Sequence, residues 1–209
     1  MPFSALLDAC VLFPVGVRDT LLSVAETGIY RVLWSEAILT ETRTAILRRH
    51  TDLESVQLDR TFDAMRSAFP DALVDGYQAL TDAMTNDPGD RHVLAAAVAG
   101  GAQVIVTINA RHFPSSACDP YGIDVQSPDE FLAYAFELAP ERVIAALAHQ
   151  AAKRRHPPAT FGELLDILAA SGLPELTTSI RRHLARVAPD EQWVQDLELD
   201  GVDIGTQGP

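Results

Sequence analysis

Short apolar runs alternate along the chain with stretches whose apolar residues recur every three to four positions. "FSALLD" (3–8) and "YRVLW" (30–34) have the continuous apolar character of buried strands. Each is followed by a helical pattern, "VRDTLLSVAET" closing at Gly28 and a segment opening at Ser35. Strand, helix, strand, helix predicts parallel pairing with right-handed crossovers. Two polar-patterned helices are expected near 54–69 and 74–84. Next come "NDPGDRHVLAAAV", a helix closed by Gly100-Gly101, and two further strands, "QVIVT" and "GIDVQ". "SPDEFL" carries a capping box formed by Ser127 and Glu130 around Pro128, and "TFGELLDIL" another from Thr160 to Glu163. Between them, residues 140–155 read as a helix stopped by Pro157-Pro158. The pattern predicts an α/β protein: three layers around a central parallel sheet over 1–139, a helical C-terminal extension over 140–188, and an acidic tail over 189–209 expected to be flexible, in which Trp193, Val194 and Leu197 could dock.

Composition narrows the function. With 209 residues, 47% of them hydrophobic, the chain can bury a core. Lys153 is its single lysine, which excludes P-loop and first-domain Schiff-base chemistry. Cys10 and Cys118 are too few for a disulfide framework, no spacing suggests zinc, and both thiols are expected to be buried or inert. The N-terminus has no basic lead or cleavage site, and the longest apolar stretch is broken at Gly100-Gly101. A cytoplasmic protein without a membrane span is expected. A net charge of −13 opposes non-specific nucleic-acid binding. Residues 140–186, however, carry seven basic and four acidic side chains, while 187–209 carry six acidic and no basic ones.

Several acids stand where acids need a reason. Asp87, Pro88 and Asp90 precede a helix, where an N-cap, a first-turn proline and a dipole-complementing carboxylate are ordinary. Asp8 ends the first strand inside "ALLDACVLF", with the nearest helix expected several residues later, so its buried charge needs a partner. Glu41 shares a helix face with Ile38, Ala37 and Ala45, and Asp90 begins the stripe Val93, Leu94, Ala97; both are expected to point inward. In an open parallel sheet these positions converge on one crevice at the carboxyl edge, where Thr107 and Asn109 also arrive. Clustered carboxylates need a cation, and hard oxygen donors suit Mg²⁺ or Mn²⁺. The chemistry this suggests is metal-assisted phosphodiester hydrolysis, with Asp90 both capping and ligating. A phosphatase built on Asp8 fits less well, because Asp8-x-Cys10 lacks a second aspartate.

The blocks "LLDACVLFP", "WSEAILTE", "DPGDRHVLAAA" and "IVTINARHFP" occur in order, and over residues 3–138 the chain resembles PIN-domain ribonucleases, especially the VapC-like toxins of bacterial toxin–antitoxin systems. The resemblance implies that Asp8, Glu41 and Asp90 are metal-binding catalytic acids. Asn109 stands at the position that often holds a fourth carboxylate or its amide, and Thr107 supports that end of the site. It further implies an endoribonuclease dependent on Mg²⁺ or Mn²⁺, RNA substrates such as tRNA or rRNA, a cognate antitoxin and homodimers. The chain departs from the pattern at His112, where many relatives carry Asp or Glu, which leaves a second metal open. The extension is similar to the helical C-terminal extensions of a subset of VapC-like proteins. Its "AAKRRHPP" and "SIRRHLAR" supply Arg181, Arg182 and Arg186, which either clamp RNA phosphates or complement helix dipoles; Arg91 and Arg111 are further candidates for RNA contact. His92 and His149 read as helix-surface or core residues. A non-catalytic PIN-like module binding RNA or protein is the alternative.

Overall fold

A computed structural model describes residues 3–52, 54–154 and 159–187; Pro157-Pro158 and the acidic segment 189–209 lie outside the described residues. Four short strands, β1 (Phe3–Leu7), β2 (Tyr30–Leu33), β3 (Val104–Val106) and β4 (Asp124–Gln126), form one parallel sheet in the order β2-β1-β3-β4. β1 is central, and Ala5, Leu6 and Leu7 are fully buried because helices cover both faces. All four strands fall where the apolar runs predict them.

The crossovers are helical. α1 (Ala9–Leu12) and α2 (Val15–Glu26) lead from β1 to β2. α3 (Glu36–Arg49), with the Ser35 hydroxyl capping Ile38 N at 3.3 Å, and α4 (Ser55–Ala68) follow β2. The helix expected over 74–84 shrinks to one turn, α5 (Gln78–Thr81). Ala72 and Val74 are buried on alternate positions, and the backbone there pairs with Trp34: Trp34 N donates to Ala72 O (2.9 Å) and Val74 N to Trp34 O (2.8 Å). The period-two contact extends the end of β2, and Gly76, at φ +72°, turns the chain out of it. α6 (Arg91–Gly100) closes at Gly101, whose left-handed φ of 65° suits glycine, and feeds β3. A single turn, α7 (Ser115–Cys118), leads to β4.

α8 (Pro128–Leu138), α9 (Pro140–Lys153), α10 (Phe161–Ala170) and α11 (Pro174–Val187) complete the chain, and both predicted capping boxes form. α9 packs on α2 and α11 on α8, so Leu147, Leu165 and Ile180 join the same apolar core as β1. Asp129 of α8 fixes the start of α11 by accepting hydrogen bonds from Glu175 N and Leu176 N, both 2.9 Å. No helix among the described residues is long and apolar enough to cross a membrane.

Candidate functional site

The carboxyl edge of the sheet gathers the acids. Asp8 continues β1 by one ladder bond, its N–H donating to Val106 O at 3.1 Å. Helix α1 starts at the next residue rather than several residues later, which puts Asp8 at an N-cap position. Its side chain nevertheless caps nothing. It is 4% exposed, and Oδ2 accepts the Thr107 hydroxyl at 2.7 Å and the Cys10 thiol at 3.0 Å. Thr107 is fully buried just past β3, and its Oγ1 in turn accepts Asn109 N at 3.0 Å. Burial, and then the Asp8 charge, push the Cys10 thiol up to about 12, which keeps it protonated as a donor. A buried carboxylate is tolerable here because two side chains donate to it.

The opening of α6 supplies the next group. Asp87 is the true cap, its Oδ1 accepting Gly89 N at 3.0 Å ahead of a 3-10 turn at Pro88–Asp90. Asp90 makes no cap hydrogen bond, so the expectation that it caps as well as ligates fails: Asp87 has already taken that task. The Asp90 side chain, 23% exposed, meets His112 instead, Oδ2 to Nδ1 at 2.6 Å. Burial raises the Asp90 carboxyl above its usual pKa, the His112 hydrogen bond opposes this, and the Asp8 charge, among others, adds to the rise.

Glu41 corrects another expectation. On α3 the buried face is Ile38, Leu39, Thr42 and Ile46, and Glu41 lies off it at the exposed rim. It turns toward α6, where Oε1 pairs with His92 Nε2 at 3.0 Å. His92 is therefore part of this cluster rather than a bystander on its helix. The Glu41 hydrogen bond holds its imidazole above the usual pKa against burial, and the charges of Glu41, Asp90 and Asp8 reinforce it. One ring thus senses all three acids. No local pattern foretells the pairing, since Glu41 and His92 stand on different helices.

The remaining candidates divide. Asn109 is half-buried beside Thr107; Arg111 is exposed, its Nε donating to His112 Nε2 at 3.2 Å. Arg91 is half-buried, with Nε unpartnered among the described residues. Arg181 is engaged within the extension, with Asp166 at 2.7 Å and the Gly162 carbonyl at 3.3 Å, so it is not a ready phosphate clamp; Arg182 and Arg186 are exposed. His149 lies exposed on α9. Among the described residues, Asp87, Asp90 and His112 present ligand atoms within 4.8 Å of one another and could hold a metal ion.

The model of the PIN domain matches residues 4–111. The chain belongs to the PIN-domain family. A second family model, the VapC50 C-terminal domain, matches residues 128–182, from the start of α8 through most of α11. This PIN-domain chain is also 42% identical over 107 residues to "Putative ribonuclease VapC50" of Mycobacterium tuberculosis, a match covering 51% of the chain and 63% of that relative. No solved structure matches it. The parallel sheet flanked by helices agrees with a three-layer PIN fold carrying a helical extension.

Proposed function

We propose that this PIN-domain protein is a divalent-metal-dependent endoribonuclease that acts as the toxin of a toxin–antitoxin pair and cleaves structured RNA such as tRNA or rRNA. The observation that carries the reading is the convergence of Asp8, Glu41 and Asp90 on one sheet edge, registed by the charge that each places on His92. Asp8 and Asp90 hold the metal and Glu41 approaches from the rim, with Asn109 beside them as a polar, uncharged neighbour. The donor set fits a hard divalent cation, Mg²⁺ or Mn²⁺. When bound, such an ion offsets phosphate charge and lowers the pKa of a water so that it can attack phosphorus.

The protein's own groups organise the rest. Thr107 and Cys10 aim the Asp8 carboxylate by donating to Oδ2, which leaves Oδ1 for a ligand. The Asn109 side chain can orient a water or a substrate hydroxyl without adding charge. Arg91 and Arg111 flank the acids and are placed to meet phosphates, with Arg182 and Arg186 on the extension as outlying contacts. A cognate antitoxin silences the crevice, and the toxin acts as a dimer.

Incubating purified protein with total tRNA and rRNA in Mg²⁺, Mn²⁺ or EDTA tests the enzyme, alongside Asp8→Asn. Cleavage that needs metal and is lost in Asp8→Asn is expected. RNA binding without cleavage in either metal would replace the nuclease with a binding module. Growth arrest in a heterologous bacterium, absent for Asp8→Asn and relieved by the neighbouring small open reading frame, tests the toxin assignment.

A further inference from the structure

The acids implied by family resemblance do not all have coordination spacing. Asp8 Oδ2 is occupied by two donors, and Glu41 Oε1 faces His92. Asp87, Asp90 and His112 do: their ligand atoms lie within 4.8 Å of one another. Around an ion with metal–oxygen distances near 2.1 Å, octahedral ligands are separated by about 3.0 Å when adjacent and about 4.2 Å when opposite. The segment that carries this cluster is unusual in a second respect. Both amide atoms of Asn86, which is 3% exposed, are buried without a partner among the described residues, as are Arg91 Nε and His92 Nδ1. Buried polar groups in folded proteins are nearly always satisfied, and an ion with its ordered waters satisfies several at once.

We infer that His112 is itself a metal ligand, and that this chain's centre is a mixed carboxylate–imidazole site of Asp87, Asp90 and His112 preferring Mn²⁺ to Mg²⁺. The inference rests on the metal-dependent reading above and adds the donor set and its selectivity. Mg²⁺ favours oxygen and keeps its waters, whereas imidazole suits first-row transition ions, so exchanging a carboxylate for a histidine moves the preference toward Mn²⁺. Asp87 contributes through the oxygen that Gly89 leaves free. Ligation through His112 Nδ1 requires the ring proton on Nε2. That ends the hydrogen bond from Arg111 Nε and releases the guanidinium toward solvent at the mouth of the site.

The test uses the full chain and the metal alone. Isothermal titration with Mn²⁺ and Mg²⁺ gives the selectivity, and pulsed electron paramagnetic resonance of the Mn²⁺ complex reports a directly bound nitrogen. The parent is expected to bind Mn²⁺ more tightly than Mg²⁺ and to show nitrogen modulation. His112→Asp, which keeps a donor at the same place, should retain binding, lose the nitrogen signal and narrow the Mn²⁺ preference by about tenfold. Bound Mn²⁺ without nitrogen modulation in the parent would overturn the inference while leaving a metal-dependent nuclease intact. A signal that survives His112→Asp but disappears in His92→Gln would overturn it by moving the ligand to His92. Failure of the parent to bind either ion would remove both the inference and the reading beneath it.

Discussion

Replacing Asp90 with Asn should raise the melting temperature of the metal-free protein, although it removes one half of a 2.6 Å contact with His112. The direction follows from the Asp90 carboxyl, which stays above its usual pKa even with the His112 hydrogen bond counted. For an acid raised in this way, the stabilising contribution is present below the unfolded pKa and lost as pH rises through the folded one. At neutral pH the charge is therefore a net cost. Asp87 and Asp90 oxygens lie within 4.8 Å, where two unit charges repel by about 1 kcal/mol in water and about 3.5 kcal/mol at an effective dielectric of 20. Asp87 is exposed, which favours the lower half of that range, and the buried Asp8 adds to it. Exchanging a charge-assisted hydrogen bond for a neutral one forfeits about 1 kcal/mol. The net gain is about 1 kcal/mol, or about 2–4 °C for a chain of this size. Calorimetry in EDTA measures it, and repetition in Mn²⁺ should show the variant gaining less from metal than the parent does. A variant that melts lower in EDTA and responds to Mn²⁺ as the parent does would refute the electrostatic reasoning and reduce Asp90 to a helix-start residue.

Three further outcomes follow from the fold. In Gly100→Ala the new Cβ would stand 2.8 Å from Val74 Cγ2 and 3.0 Å from Leu33 Cδ1. Melting should drop by about 1 kcal/mol despite better helix propensity, and a rise would mean that the 72–74 segment yields freely. Asp129→Ala removes the cap of α11 and should cost about 1 kcal/mol, with amide exchange accelerated first at Glu175 and Leu176; unchanged exchange there would contradict the docking role. Hydrogen bonds to Ser127 hold the Glu130 carboxyl below its usual pKa. The advantage of the parent over Glu130→Gln should thus be present at neutral pH and fade as pH falls through the acid range, and a pH-independent difference would argue against the capping box.

The sheet was legible because its strands are buried on both faces and leave uninterrupted apolar runs, and the capping boxes because their chemistry spans only four residues. Segment 72–74 was misread as helix because its partner is the distant backbone of Trp34, which local periodicity cannot register. Asp8 could be singled out by burial, yet the abrupt strand-to-helix turn at Ala9 could not, since "ACVL" suits either state. The rim position of Glu41 shows the limit of a stripe drawn from i+3 and i+4 neighbours. Ala37 and Ala45 are small enough to sit at an edge as readily as in a core. His92 and Asp87 escaped notice because their partners, or their spacing, exist only once α3, α6 and the loop carrying His112 have come together.

The central place of β1 has a consequence for the order of events on the ribosome. Its neighbours in the sheet are β2 and β3, and Asp8 obtains the Thr107 hydroxyl only when a residue 99 positions later has emerged. At synthesis rates of about 5–20 residues per second, the nascent chain carries that aspartate for about 5–20 s before its partner exists. Neither the acid cluster nor the middle of the sheet can form on a truncated product. Premature termination before β3 therefore yields an inert fragment, and the interval gives any co-translational binder of the first half a head start on the finished centre.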